Sequence, residues 1–241
     1  NEFSFMSWVK LNSISQQIGN VFRNHWNNGH WLRFESPTTI PSFNINTSSS
    51  SSSGGLIYSQ TSLNINQWYH ITCTYNGSTM KIYIDGTLDA QGPYTGALTT
   101  YSGPGEHFYL GAGDPGQEFL DGNIDNTSVW LKTLTQQEIQ QYMGCPPTGT
   151  ETGLLGCWNF EEGTGVTAYD QTSNGNDGTI NGATYDTNVP AQSCALTNAN
   201  GCDSTAILNL TIAVCGCTDS LANNYNPFAL IDDSSCCYIN I

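Results

Sequence analysis

The sequence predicts an all-β fold: an antiparallel jelly-roll β-sandwich with one short helix and a small disulfide-rich C-terminal tail. Short β-prone runs alternate with clusters of Asn, Gly, Pro and Ser, which is typical of antiparallel sandwiches. Charged residues make up 10% of the chain, below the usual quarter, so a turn-rich β protein is favoured. Eight of the nine cysteines lie at or after position 145, which puts the disulfide-rich part at the C-terminal end.

The predicted strands fill the first 110 residues. The first begins at Phe3, and in residues 80–84 apolar and polar side chains alternate, so one face of that strand points to a core. Asp85 and Gly86 then supply a hairpin turn. The later runs are residues 31–34, 42–45, 56–58, 68–75, 80–84 and 108–110.

One helix is predicted over residues 135–143. Thr135 is a candidate N-cap, and Glu138 three residues later completes a capping box. Ile139 and Met143 share one face, and Gly144 ends the helix.

The charge excludes one class of partner. The net charge is −15, with five Lys and Arg against twenty Asp and Glu, so polyphosphates and anionic membranes are repelled. No run of about eighteen apolar residues is present. We therefore expect no nucleic-acid partner and no membrane insertion.

The cysteines predict a secreted or cell-surface protein. Their density after residue 145 favours disulfides in an oxidising compartment, and the spacings and missing His partners disfavour zinc. We expect Cys145 to pair with Cys157 and Cys217 with Cys236, while Cys73 stays free.

Three segments together resemble the laminin-G-like domains of the concanavalin A-like lectin/glucanase superfamily. They are FSFMSWVK (3–10), QWYHITCTYNGSTMKIYIDG (67–86) and FLDGNIDNTSVWLKTLTQQEIQQYM (119–143), and they cover most of residues 1–145. The resemblance implies the sandwich fold. It leaves function open, because that superfamily includes lectins, adhesion modules and glycanases.

The resemblance also suggests roles and boundaries. It makes Trp8, Trp68 and Trp130 core anchors. Residues 153–186 resemble the opening segment of such a domain, and we expect them to complete one sandwich over residues 1–190. Residues 191–214 resemble a closing hairpin and 215–241 a cysteine-rich motif, both like segments of secreted Bacteroidetes surface proteins.

A calcium site is predicted near Asp170. Residues 170–178 place oxygen-bearing side chains at alternating positions before a glycine, as in a calcium loop. The resemblance implies Asp170 and Asn176 as ligands, and Asp125 could add a carboxylate. The alternative is an Asn- and Gly-rich turn that its own side chains satisfy.

A ligand-binding rim is predicted around residues 23–33, where aromatic and planar polar side chains alternate. A second loop rich in Gly and Pro carries further aromatic residues. The alternative is that Trp31 and Phe34 are core and the polar residues a solvated turn. The candidate ligand-binding residues are Trp26, His30, Arg33, Tyr94, Tyr101 and His107.

Catalytic interpretations find little support. A glycosidase needs two carboxylates across the scissile bond, and the adjacent Glu161 and Glu162 point to opposite faces of a strand. His70 and Cys73, three residues apart, also face opposite sides. We therefore expect no enzyme.

The predicted function is an extracellular binding or adhesion module for glycans or glycoproteins, with calcium as a candidate cofactor. One alternative is a structural subunit or spacer of a surface adhesin or filament. It would self-associate if residues 153–186 completed a neighbouring subunit. A glycan-cleaving enzyme is a minor alternative.

Overall fold

The computed structural model describes residues 2–13, 18–24, 29–48, 54–99, 107–113 and 118–192, with isolated residues and pairs from 194 to 232. The chain divides into two units, residues 1–194 and 195–241. Within the described residues, no helix has the length and apolar character needed to span a membrane.

In its described residues, the first unit is a sandwich of two antiparallel sheets with one helix, which confirms the predicted fold class. The elements are β1 (Phe3–Leu11), β2 (Gly19–Asn24), β3 (Trp31–Phe34), β4 (Pro41–Ile45), β5 (Gly55–Tyr58), β6 (Trp68–Tyr75), β7 (Thr79–Ile84), β8 (Thr87–Pro93), β9 (Phe108–Leu110), β10 (Gly122–Trp130), α1 (Gln136–Gly144), β11 (Leu154–Trp158), β12 (Thr167–Ala168) and β13 (Gly178–Thr179). The six-stranded sheet has the order β11-β10-β1-β6-β7-β8 and the five-stranded sheet β5-β4-β3-β2-β9. β12 and β13 pair separately.

The main core lies between the two sheets, where alternate side chains of each strand point inward. Phe5 from the six-stranded sheet meets Phe22 from the five-stranded sheet, with ring centroids 4.2 Å apart. Phe108 on β9 stacks on Trp158 of β11 at 6.0 Å. The second contact joins the edge of one sheet to the edge of the other.

A second apolar cluster lies on the outer face of the six-stranded sheet, beneath α1. Trp130 is fully buried there, and its ring stacks on Tyr142 of the helix at 4.9 Å. Both halves of the predicted capping box between Thr135 and Glu138 are present. The helix includes Gly144 as its last residue, and Cys145 is its C-cap.

Residues 186–192 return along the same outer face. The indole N–H of Trp68 donates to Asn188 over 3.1 Å, and the amide of Asn126 donates to Gln192. The expectation that Trp8 and Trp68 are core anchors is therefore wrong. Both lie partly exposed on the outer face, since β1 and β6 pair with these side chains pointing away from the core.

The predicted Cys145–Cys157 bridge is also wrong. Cys145 forms a disulfide with Cys194. The reason is the orientation of β11, which turns the side chain of Cys157 under α1, where it is buried and free. Cys73 is buried and free, as expected. The predicted bridge between Cys217 and Cys236 lies outside the described residues.

The described residues of the second unit form two strand pairs. β14 (Leu196–Thr197) pairs with β15 (Asp203–Ser204) as an antiparallel ladder, and β16 (Cys215–Gly216) runs parallel to β17 (Ile231–Asp232).

Candidate functional site

The outer face of the five-stranded sheet carries polar and aromatic side chains in two rows. Phe22, Leu32 and Phe43 point into the core, so the side chains that alternate with them point outward. Val21 is an exception, because β2 bulges between Asn20 and Phe22 and Val21 also lies in the core. The strand register places Tyr109, Arg23, Trp31, Asn44 and Leu56 in one row and Asn20, Arg33, Ser42 and Tyr58 in the other.

Arg33 lies at the centre of this face. Its guanidinium carbon is 3.8 Å from the ring centroid of Trp31, a cation–π stack that covers the indole. Its Nε donates to Oε1 of Glu35 over 2.8 Å, and the Ser42 hydroxyl donates to the same oxygen over 3.4 Å. Because Trp31 and Glu35 fix the guanidinium, its remaining N–H groups are held in place.

Leu56 and Tyr58 form an exposed apolar platform on the edge strand β5. They are 40% and 51% exposed, and Tyr58 pairs in register with Ser42. β5 lies two strands from β3, so Tyr58 is about 10 Å from Arg33 across the sheet. The sequence interpretation missed Tyr58 and Glu35, although the alternation of Leu56 and Tyr58 was a usable signal.

A largely buried ion pair between Arg23 and Glu118 lies on the β2 side of this face. Nη1 of Arg23 lies 2.7 Å from Oε2 of Glu118, and the amide of Asn20 donates to the same oxygen over 2.9 Å. Removal of these charges from water is offset only when they stay paired. The carboxylate therefore neutralises Arg23 on this face.

His30 has a structural role. It is buried, its Nδ1 accepts a hydrogen bond from the backbone N–H of Asn46, and it bonds the backbone of Thr99. Burial lowers its pKa to about 4, against the opposing effect of the Thr99 bond. The ring is therefore neutral and engaged on both sides, so it organises the loops rather than contacting a ligand.

The other predicted rim residues do not converge on one site. Tyr94 packs its ring against Gly55 on β5, whereas His107 is exposed beside β9 and contacts the ring of Tyr109. β5 and β9 are opposite edges of the five-stranded sheet, about 19 Å apart. Trp26 and Tyr101 lie outside the described residues.

The loop predicted to bind calcium is held by its own hydrogen bonds. Oδ1 of Asp170 accepts from the N–H groups of Cys157 and Thr172, and Oδ2 accepts from the hydroxyl of Thr172 and the N–H of Asn176. Burial alone would raise the pKa of Asp170, but these four bonds outweigh it and lower the pKa. Each oxygen already has two donors, so this carboxylate does not fit a calcium ligand.

The same loop covers the free edge of β11. The side-chain amides of Asn174 and Asn176 both donate to the carbonyl of Leu155, at 2.9 and 2.8 Å. The N–H of Gln171 donates to the carbonyl of Cys157 over 2.7 Å. Backbone groups that an edge strand usually leaves open are thus satisfied within the chain.

Asp125 lies in a different environment from Asp170. Its Oδ1 accepts from the N–H of Asn126, and burial raises its pKa to about 6, with a contribution from Glu161. Nowhere in the described part of the chain do three His, Cys, Asp or Glu side chains gather as a metal site would require. Calcium binding stays a prediction, and Asp170 and Asn176 do not favour it.

The residues considered for catalysis have structural partners. Glu162 accepts from the N–H of Tyr169 and the hydroxyl of Tyr185. Burial lowers the pKa of His70 to about 3 and raises that of Cys73, so both stay neutral. Their side chains lie on opposite faces of β6.

Comparison with known proteins bears on the fold. The sequence model of a laminin G family, described as belonging to the concanavalin A-like lectin/glucanases superfamily, matches residues 1–140. A search of curated proteins finds no match. A structure from Bacteroides ovatus, to which carbohydrate binding is ascribed, is 15% identical with a TM-score of 0.59. The likeness covers 76% of this chain but 55% of that one, so this chain spans about half its length.

Two further structures are similar over 60% and 58% of this chain. One is a heptameric SAP-like pentraxin from Limulus polyphemus, 16% identical, with 70% of its chain covered and a TM-score of 0.44. The other is domain 4 of an extracellular GH43 arabinanase from Geobacillus stearothermophilus in complex with arabinotriose, 18% identical, with 65% covered and a TM-score of 0.43.

Proposed function

The chain belongs to the concanavalin A-like lectin/glucanases superfamily, and from this premise we propose that it is a non-catalytic carbohydrate-binding module. Its site is the outer face of the five-stranded sheet. The observation that carries the proposal is the exposed Tyr58 across Ser42 from a guanidinium held by Trp31 and Glu35.

This arrangement suits a sugar. An aromatic ring offers an apolar surface to the C–H groups of a pyranose, and Tyr58 is half exposed. The paired Arg33 and Glu35 offer planar donors and acceptors to hydroxyl groups. The carbohydrate binding ascribed to the Bacteroides ovatus protein, whose fold is similar, is consistent with the proposal.

A glycan array probed with and without chelator, followed by calorimetric titration of the hits, tests the proposal. Arg33→Met keeps the apolar stem over Trp31 and removes the donors, so it should abolish binding. Lys81→Met on the other sheet removes the same charge and should bind like wild type. Absence of any glycan ligand, or equal loss in both variants, would refute the proposal.

We propose secretion or attachment at the cell surface, and glycans or glycoproteins as partners. The disulfide between Cys145 and Cys194 supports an oxidising compartment. The alternative, a spacer assembled by strand complementation, is not favoured at β11, because the loop of residues 170–176 satisfies its free edge.

A further inference from the structure

We infer that the outer face of the five-stranded sheet takes an uncharged oligosaccharide and rejects acidic glycans such as sulfated or uronic-acid polymers. The inference rests on the proposed carbohydrate-binding function and specifies its ligand class. It is carried by the pairing of both arginines of this face with carboxylates.

Each arginine on this face has its own glutamate. Arg23 lies 2.7 Å from Glu118, and Arg33 lies 2.8 Å from Glu35. The side chains of the second pair are 18% and 27% exposed, so a ligand meets both charges together. The face therefore carries hydrogen-bond donors without net positive charge. In a typical anion site, by contrast, the arginine pairs with the bound anion and not with a carboxylate of the protein.

The other cations lie away from this face. Lys10 lies over the ring of Trp68, and Lys81 is on β7, both in the six-stranded sheet. Lys132 is paired with Glu138 of α1. With twenty acidic residues against these five cations, the field of the chain repels a polyanion before contact.

The hydrogen-bonding pattern points the same way. A sugar hydroxyl both donates and accepts, whereas a sulfate or carboxylate only accepts. Among the described residues, both hydrogen bonds to the Glu35 carboxylate go to Oε1, which leaves Oε2 without a described donor. A hydroxyl can donate to Oε2 while a neighbouring hydroxyl accepts from Arg33. An anionic group would be repelled by the same oxygen.

The test is affinity electrophoresis and calorimetry of the full chain against uncharged polysaccharides, heparin and polygalacturonate, each at low and high salt. We expect binding to at least one uncharged polymer, with an affinity that salt changes by less than about twofold, and none to the two polyanions. Glu35→Gln should weaken neutral binding and introduce salt-sensitive heparin binding. Glu161→Gln, which removes the same charge beyond β11, should behave as wild type.

The outcomes separate the two proposals. Preferential, steeply salt-dependent binding of wild type to heparin or polygalacturonate would overturn the ligand class and leave carbohydrate binding intact. Unchanged selectivity in Glu35→Gln would also overturn it. Failure to bind any polysaccharide or arrayed glycan would overturn the binding function itself, and the ligand class with it.

Discussion

The carboxylate of Asp170 accepts a hydrogen bond from the backbone N–H of Cys157, with 3.0 Å between Oδ1 and N. This bond ties a loop to the outer edge of β11, the last strand of the six-stranded sheet. The amides of Asn174 and Asn176 complete the cover. An exposed edge strand is a template for pairing with another chain, so the loop keeps the sandwich closed.

Asp170→Asn should therefore lower stability and promote self-association. In the variant an NH2 group replaces one carboxylate oxygen and faces N–H and O–H groups that are themselves donors. The lost hydrogen bonds should lower the free energy of unfolding by about 2 kcal/mol. Urea denaturation and size-exclusion chromatography measure the two effects. The control Asp186→Asn changes an exposed carboxylate with fewer partners and should have little effect. Wild-type stability in Asp170→Asn would contradict the role of this loop.

Calcium should leave the melting temperature of wild type unchanged, because both oxygens of Asp170 already accept two hydrogen bonds each. A ligand of the folded state at a hundredfold excess over its dissociation constant adds about 2.7 kcal/mol, which a thermal melt detects. Melts in EDTA and in millimolar calcium are the measurement. A calcium-dependent rise that Asp170→Ala abolishes would show that Asp170 is a calcium ligand.

Peptide mapping without reduction should recover Cys145 linked to Cys194, with Cys157 alkylated only after unfolding. The two residues are 49 apart, and closure of such a loop restricts the unfolded chain by about 4 kcal/mol in the chain-entropy model. Reduction should lower stability accordingly, whereas Cys157→Ser should keep the bridge. A linked peptide containing Cys145 and Cys157 would show the pairing to be wrong.

Asp125 should make stability depend on pH. Its pKa is raised to about 6, so the unfolded chain ionises at lower pH than the folded chain. The contribution of this group to stability is therefore present below about pH 4 and falls as pH rises to about 6. Asp125→Asn should gain about 1–2 kcal/mol over wild type across that interval, allowing for solvent screening. Denaturation curves of both proteins at pH 4 and pH 7 are the measurement. The same difference in stability between Asp125→Asn and wild type at the two pH values would contradict this prediction.

The fold could be predicted from the sequence because its signals are local. Alternation marks β7, the turn at Asp85 and Gly86 follows it, and Thr135 with Glu138 fixes the start of the helix. Each signal acts over a few residues, so no tertiary contact is needed to recognise it.

The candidate site depended on tertiary arrangement. Aromatic and polar composition around His30 suggested a rim, but the sheet order sends Tyr94 and His107 to opposite edges. Asp170 was ambiguous for another reason. A carboxylate at this position can bind a cation or accept from backbone N–H groups, and the sequence does not show that the N–H of Cys157 on β11 lies within hydrogen-bonding distance.

The most direct test of carbohydrate binding on the outer face of the five-stranded sheet compares Tyr58→Ala with Tyr169→Ala by calorimetric titration of one glycan hit. The two tyrosines are similarly exposed, 51% and 54%, but Tyr169 lies outside the five-stranded sheet. We expect Tyr58→Ala to weaken binding at least about tenfold, or ~1.4 kcal/mol, and Tyr169→Ala to bind like wild type. Wild-type affinity in Tyr58→Ala would contradict the account.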